Sequence, residues 1–219
     1  MKKYYEILRK CPLFAEIDDE NLIPLLDCLK AEAKSYRKKD VIISEGEVAR
    51  YVGIVLSGAV QIERNDYYGN RTILSAAEPS ELFGESFACA EVKSIPINVV
   101  AIENCEVMLI DCRRIMHSCS NACNFHSQMI FNLMKTVALK NIIFHQKIEI
   151  TSKRSTREKL MTYLMFQAKR AKCSRFEIPF DRQELADYLE VDRSGLSSEI
   201  SKLKSEGIIN CRKNYFELL

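Results

Sequence analysis

Residues 181–207 read DRQELADYLEVDRSGLSSEISKLKSEG, and this run sets the architecture of the C-terminal third of the chain. Asp181 followed by Glu184 is a capping-box-like helix start, in which an oxygen at the first position accepts an orphan backbone N–H and the later side chain returns the bond. Leu185, Ala186 and Leu189 then share one apolar face. After the turn Glu190-Val191-Asp192, Asp192 is placed to cap a second helix that carries Leu196, Ile200 and Leu203 on one face and stops at Gly207. The small Ala186 permits a close helix crossing and Val191 fills the turn, so the pattern predicts a helix-turn-helix. Opposite the apolar face, Arg193, Ser194, Ser197 and Ser198 point outward near the start of the second helix, where a recognition helix meets base edges. An Arg at Arg193 suits bidentate pairing to guanine, and the serines donate or accept. Gly195 lets backbone approach a phosphate at a helix cost of about 1 kcal/mol.

Working outward, Ile208-Ile209 and Tyr215-Phe216 flank Arg212-Lys213-Asn214, the layout of a hairpin wing with a basic tip. Arg182, Gln183, Lys202, Lys204, Arg212 and Lys213 are the candidates for phosphate contacts, which position a protein without reading sequence. A solvated helix face explains Lys202 and Lys204 equally well. Upstream, Phe176–Phe180 is a short strand, and Ser155 with Glu158 caps a helix to Lys172 bearing Leu160, Tyr163, Leu164 and Gln167 on one face. The segment from Arg113 to Ile150 has no Gly or Pro and is predicted as one long helix. Its residues Met129, Leu133, Thr136, Val137 and Ile143 suggest a seam against a second copy of the chain, with an intramolecular core helix as the other reading.

From Ser35 to Ile110 the hydrophobic period falls to two, in short runs at Val41–Ile43, Tyr51–Ile62, Arg71–Leu74 and Asn98–Ile110. Gly46, Gly53, Gly58, Gly69, Pro79 and Gly84 punctuate them as turns. Many short, evenly spaced strands predict an antiparallel β-roll or barrel. Two helical segments precede it, one with Tyr4, Ile7 and Leu8 on a face, the other capped by Asp18 and carrying Leu22, Leu25, Leu26 and Leu29.

The 219 residues exceed the ~100–150 usual for one domain, so two domains are expected. The net charge of +2 says little, but residues 151–219 hold 14 basic and 10 acidic residues against 18 and 20 in residues 1–150. The basic excess lies with the helix-turn-helix, the direction nucleic-acid contact requires. No apolar run is long enough for a membrane span and no signal region follows Met1-Lys2-Lys3, so a cytoplasmic protein without membrane association is expected. Nine scattered cysteines fit free thiols in a reducing compartment.

With those residues in place, the chain resembles the cyclic-AMP receptor/FNR family over nearly its whole length. The strongest stretch is Arg182-Gln183-Glu184-Leu185-Ala186-Asp187-Tyr188-Leu189, continued by Val191, Arg193-Ser194, Leu196-Ser197, Leu203 and Glu206-Gly207-Ile208-Ile209. In the first half, Glu45-Gly46-Glu47, Leu56-Ser57-Gly58-Ala59-Val60 and Phe83-Gly84-Glu85 match the family's roll motifs. The resemblance implies an α+β chain: an N-terminal antiparallel β-roll (a cupin-like jelly roll) over residues 1–112, a dimerisation helix and hinge over 113–150, and a winged helix-turn-helix over 151–219. It also implies a homodimer on a near-palindromic double-stranded DNA operator, with RNA polymerase as a further partner of an activator.

Two departures matter. Members that bind cyclic AMP follow the Gly-Glu pair, some ten residues on, with Arg-Ser or Arg-Thr, whereas Ile95-Pro96 stands there in this chain, with Lys93 offset. A cyclic phosphate in a partly closed pocket needs a cation or several donors, so weak or absent cyclic AMP binding is expected. Gly84, Glu85, Ser86, Lys93, Ser94 and Asn98 remain candidates for a different effector pocket. Second, Ser198 stands where many relatives carry another base-reading Arg, and Glu190 where they often have Gly, so the operator is expected to differ. A left-handed Glu190 would cost about 1–2 kcal/mol.

No cofactor is predicted. Cys119 and Cys123 alone are too few for an iron–sulfur cluster, and His117, His126 and His145 lack metal-ligand spacing. A haem-type or thiol-redox sensor of the same fold, the latter through Cys119 or Cys123, is the alternative, and a β-roll protein-interaction module with incidental DNA binding is another. No phosphate-binding loop, nucleophile elbow or dinucleotide fingerprint occurs, so no enzyme is expected. Glu45, Glu47 and Glu85 read as roll-motif and turn charges.

Overall fold

The structure, a computed structural model, describes residues 2–65, 67, 71–116 and 124–219. The expectations that fall on Gly69, His117, Cys119 and Cys123 lie outside the described residues. The chain divides into two compact units, 1–139 and 140–219.

The first unit starts with α1 (Tyr5–Lys10), a 3-10 turn at Pro12–Phe14, and α2 (Asp19–Cys28). Leu22, Leu25, Leu26 and Leu29 are buried as their spacing requires. Asp18 stands at the start of α2 with extended backbone, but its side chain accepts no capping bond. The acidic Asp19 and Glu20 in the first turn complement the helix dipole instead.

There follow β1 (Glu32–Tyr36), β2 (Val41–Ile43), β3 (Tyr51–Ser57), β4 (Val60–Asn65), β5 (Arg71–Ala77), β6 (Leu82–Phe83), α3 (Glu85–Cys89), β7 (Asn98–Ala101) and β8 (Cys105–Asp111). The strands form two antiparallel four-stranded sheets, in the orders β1-β8-β3-β6 and β2-β7-β4-β5. The central strands β3 and β8 are buried on both faces. Val52, Ile54, Leu56, Met108 and Ile110 pack with α1 and α2. Val55, Val107 and Leu109 turn the other way and share the roll interior with Ile43, Val60, Phe83 and Val99. Two faces to bury make these strands continuously apolar rather than alternating.

Two expectations change here. β1 begins at Glu32, three residues before Ser35, because Glu32, Ala33 and Lys34 are exposed and gain their strand geometry from pairing with β8, not from a buried face. Gly53 is no turn: it lies inside β3, where a Cβ would sit 2.1 Å from Cζ of Phe83. Gly46, Gly58 and Gly84 do adopt positive φ.

Of the single helix expected from Arg113 to Ile150, residues 117–123 lie outside the described residues. α4 (Cys112–Met116) is short, and α5 runs from Asn124 to Thr151. The seam expected on α5 is also corrected. Met129 and Leu133 are fully buried in the first unit's own core, and Val137 packs against it. Asn132 anchors this face by donating from Nδ2 to the carbonyl oxygens of Leu13 (3.1 Å) and Ala15 (2.7 Å), and Thr136 Oγ1 donates to the Asn132 carbonyl. An apolar stripe alone does not say whether it meets the same chain or another. Of the five expected residues only Ile143 is exposed, together with Phe131, Met134, Leu139, Ile142, Phe144 and Ile148. At about 3.6 residues per turn, Phe131, Ala138 and Ile142 line up roughly half a turn from Met129 and Leu133.

The second unit comprises the end of α5, α6 (Thr156–Ala171), β9 (Arg175–Glu177), α7 (Arg182–Leu189), α8 (Arg193–Ser205), β10 (Ile209–Arg212) and β11 (Tyr215–Leu218). The strands form an antiparallel sheet in the order β10-β11-β9. Ile150, Leu160, Tyr163, Leu164, Leu185, Ala186, Leu189, Leu196, Ile200, Leu203 and Phe216 make one core. The capping box at Ser155 and Glu158 forms with both bonds present. No helix among the described residues is long and apolar enough to cross a membrane.

Candidate nucleic-acid interface

The ends of α7 and α8 are held by their own side chains. Asp181 accepts the amides of Gln183 (2.7 Å) and Glu184 (2.8 Å), and Glu184 Oε2 accepts the Asp181 amide at 2.7 Å. α7 ends at Glu190 in the left-handed region (φ 53°, ψ 54°), where its amide bonds back into the helix and its carbonyl accepts from Lys159 Nζ. The strain of about 1–2 kcal/mol expected for a non-glycine residue is therefore present. It persists because Val191 donates its amide to the Ala186 carbonyl and packs against the core behind it.

α8 starts with Asp192, whose Oδ2 accepts the Gly195 amide at 3.0 Å. It ends with Gly207 donating to the Lys204 carbonyl and Ile208 to that of Leu203, the paired bonds of a Schellman stop around a positive-φ glycine. Between these ends Leu196, Ile200 and Leu203 are buried, so the register of the helix is fixed. That register leaves Arg193, Ser197 and Ser198 exposed at its N-terminal end. Arg193 has no hydrogen-bond or ion-pair partner among the described residues.

Ser194 behaves differently from its expected role. Its hydroxyl donates to Asp192, so it serves the cap first. That hydroxyl, with the Gly195 amide, holds the Asp192 carboxyl below its ordinary range. At Gly195 a Cβ would meet nothing closer than 3.9 Å, so packing does not demand glycine there.

The phosphate candidates fall into two groups. Arg182 lies with its guanidinium 5.8 Å from the centre of the Phe216 ring and donates to the carbonyl of Lys213, which joins α7 to the wing tip. Arg212 and Lys213 are exposed at that tip, where Lys213 has φ 55°. Gln183 is occupied by Asp187 at 2.8 Å, Lys202 is 3.9 Å from Glu199, and Lys204 donates to the Cys211 carbonyl at 3.2 Å.

One contributor escaped the sequence. Arg157, on α6, pairs with Glu206 beyond the end of α8 and lies 3.5 Å from Glu199. Glu206 in turn raises the Arg157 pKa, and its own is lowered by Arg157. A contact across 49 residues leaves no mark in local periodicity.

In the first unit, Gly84 (φ 75°) opens α3, and Glu85 is buried while Ser86 is exposed. Lys93 and Ser94 are exposed on the following loop, and Asn98 Oδ1 is used to accept the Glu45 amide at 2.8 Å. Ile95 is buried in the roll interior. Its amide donates to the Glu47 carbonyl and its carbonyl accepts from Gly46, both at 2.8 Å.

Comparison with known proteins places these features. The family model described as the cyclic nucleotide-binding domain matches residues 33–121, and that of the Crp-like helix-turn-helix domain matches residues 158–219. The chain is 24% identical to cGMP-dependent protein kinase 2 of Rattus norvegicus over 94% of its length, but spans only 27% of that kinase, about a quarter of the curated relatives it matches first. It is 22% identical to the transcriptional activator protein FnrA of Stutzerimonas stutzeri, over 89% of this chain and 79% of that one. The solved structure of FixK2 from Bradyrhizobium japonicum shares the fold, with a TM-score of 0.53 and 24% identity over 86% of this chain and 92% of its own.

Proposed function

The chain belongs to the cyclic-AMP receptor/FNR (Crp/Fnr) family of transcription regulators, and we propose that it binds a specific double-stranded DNA operator in the cytoplasm as a homodimer. The observation that carries this reading is the N-terminal end of α8, where Arg193, Ser197 and Ser198 are exposed on a helix fixed by two caps and a buried face. Arg193 reads a guanine edge in the major groove. Ser197 and Ser198 complete the base contacts, while Ser194 orders the cap. Arg182, Arg212 and Lys213 contact phosphates from α7 and the wing, with Gln183, Lys202 and Lys204 at the margin. The second unit is the DNA-binding part, and residues 1–112 are the sensor.

A homodimer forms along α5 through Phe131, Met134, Ala138 and Ile142, the exposed face opposite the buried Met129 and Leu133. Two readers related by a two-fold axis require a near-palindromic operator with half-sites about one helical turn apart. Cyclic AMP is not the effector. Ile95 faces the roll interior, its amide is engaged by Glu47, and Pro96 has no amide hydrogen to offer, so the cyclic phosphate would lose its hydration without a replacement.

The test is selection of bound sequences from a random duplex pool, followed by fluorescence anisotropy on the enriched operator. Arg193→Ala is expected to weaken specific binding by about 1–3 kcal/mol and relax preference at one base pair per half-site. Unchanged specific affinity would remove α8 as the reader. Calorimetric titration is expected to give no heat of cyclic AMP binding at micromolar concentrations, and a micromolar dissociation constant overturns that part.

A further inference from the structure

In the first unit the sulfur atoms of Cys89 and Cys112 lie 3.8 Å apart, one in the last turn of α3 and the other at the first position of α4. We infer that Cys89 and Cys112 form an oxidisable thiol pair, with Cys89 as the residue attacked first by a hydroperoxide and Cys112 as the resolving thiol. The pair is distinct from Cys119 and Cys123.

Three observations support the assignment of roles. The sulfurs are already in contact, so a disulfide of about 2.0 Å requires side-chain rotation and a small approach of α3, with no long-range rearrangement. Cys89 is half-buried and reachable by a small oxidant, whereas Cys112 is sealed in the core with Ala88 and Ile115. The sulfur–sulfur contact with Cys112 favours the Cys89 thiolate, lowering its pKa, while the same contact and burial push Cys112 upward. A thiolate is the nucleophile in such chemistry.

The Cys89 sulfur attacks the terminal oxygen of the hydroperoxide, the O–O bond breaks, and an alcohol (or water, from hydrogen peroxide) leaves, so that Cys89 becomes a sulfenic acid. The Cys112 sulfur then attacks that of Cys89, the S–O bond breaks, and the departing hydroxide takes the Cys112 proton as water. Two thiols lose two electrons and the peroxide gains them. The disulfide ties α3, which carries the family motif residue Glu85 and the neighbouring Ser86, to the end of β8.

The experiment treats the reduced full-length chain with hydrogen peroxide, alkylates remaining thiols and maps peptides by mass. A Cys89–Cys112 cross-linked peptide, lighter by about 2 Da and released by a thiol reductant, is expected. In Cys112→Ser, Cys89 is expected to stop at the sulfenic acid and be captured by dimedone; in Cys89→Ser, Cys112 is expected to remain alkylatable. Mapping the unsubstituted chain needs no variant to fold. If its Cys89 and Cys112 stay alkylatable while other cysteines oxidise, or if Cys112→Ser gives no dimedone adduct at Cys89, the pair is not the site. The readout is covalent mass, so its failure is separate from any failure of DNA binding.

Discussion

The ring of Phe83 covers Gly53 so closely that a Cβ on residue 53 would lie between 2.1 and 2.5 Å from three of its carbons. Gly53 pairs with Phe83 across β3 and β6, and Phe83 is 1% exposed, so the ring cannot swing into solvent without emptying the roll interior. Gly53→Ala is therefore expected to destabilise the first unit by about 1–3 kcal/mol, read as an earlier denaturant midpoint. In a Phe83→Leu background the cost of Gly53→Ala should shrink, because the two residues share one space. Additive costs would show that the ring is not the obstacle.

Glu190 carries the opposite lesson, a residue whose replacement should help. Its φ of 53° is left-handed and its side chain is exposed, while the capping bonds use only its backbone. Glu190→Gly removes the Cβ conflict and should raise stability of the second unit by roughly 1 kcal/mol. Thermal unfolding of the two chains measures this, and a lower midpoint for the variant would contradict it.

Acid sensitivity follows from three carboxylates of the second unit. Asp192 is held below its ordinary 3.8 by the Ser194 hydroxyl and the Gly195 amide, Glu158 below 4.5 by Ser155, and Glu206 below 4.5 by Arg157. A group whose folded-state pKa is depressed contributes stability above its unfolded value and loses it as pH falls through the folded one. The second unit should accordingly keep this contribution above about pH 4.5 and shed it progressively below. Asp192→Asn and Glu206→Gln should each flatten the fall of melting temperature between pH 5 and pH 3; identical slopes in variant and parent would refute the assignment.

The two faces of α5 separate experimentally. Phe131→Glu combined with Ile142→Glu is expected to give a folded monomer by sedimentation, because charges would have to be buried in the proposed seam. Leu133→Ala, on the inner face, should instead cost about 2–5 kcal/mol of stability while the folded fraction keeps its oligomeric state. The reverse pattern would restore the inner stripe as the seam.

Much of the fold is legible without coordinates because its cues are local. Capping pairs at Ser155/Glu158 and Asp181/Glu184, the i, i+4, i+7 face of Leu196, Ile200 and Leu203, and the stop at Gly207 each lie within one or two helical turns, and each forms as its spacing predicts. The exposed position of Arg193 then follows from the register of the buried face. Gly53 and Asp18 were misleading for a related reason. Glycine marks a turn or a close approach alike, and an aspartate before a helix is a cap only if its side chain turns inward.

Periodicity in this chain thus reports that a residue is buried, and within one helix it reports on which side. It carries no record of the partner. Met129 and Leu133 could have faced a second copy or their own core, and the carbonyls of Leu13 and Ala15, captured by Asn132 from more than a hundred residues away, settled the choice. Arg157 with Glu206 and Cys89 beside Cys112 are of the same kind. Such contacts exist only once distant segments have packed, because proximity along the chain and proximity in space coincide for helix faces and turns and part company everywhere else.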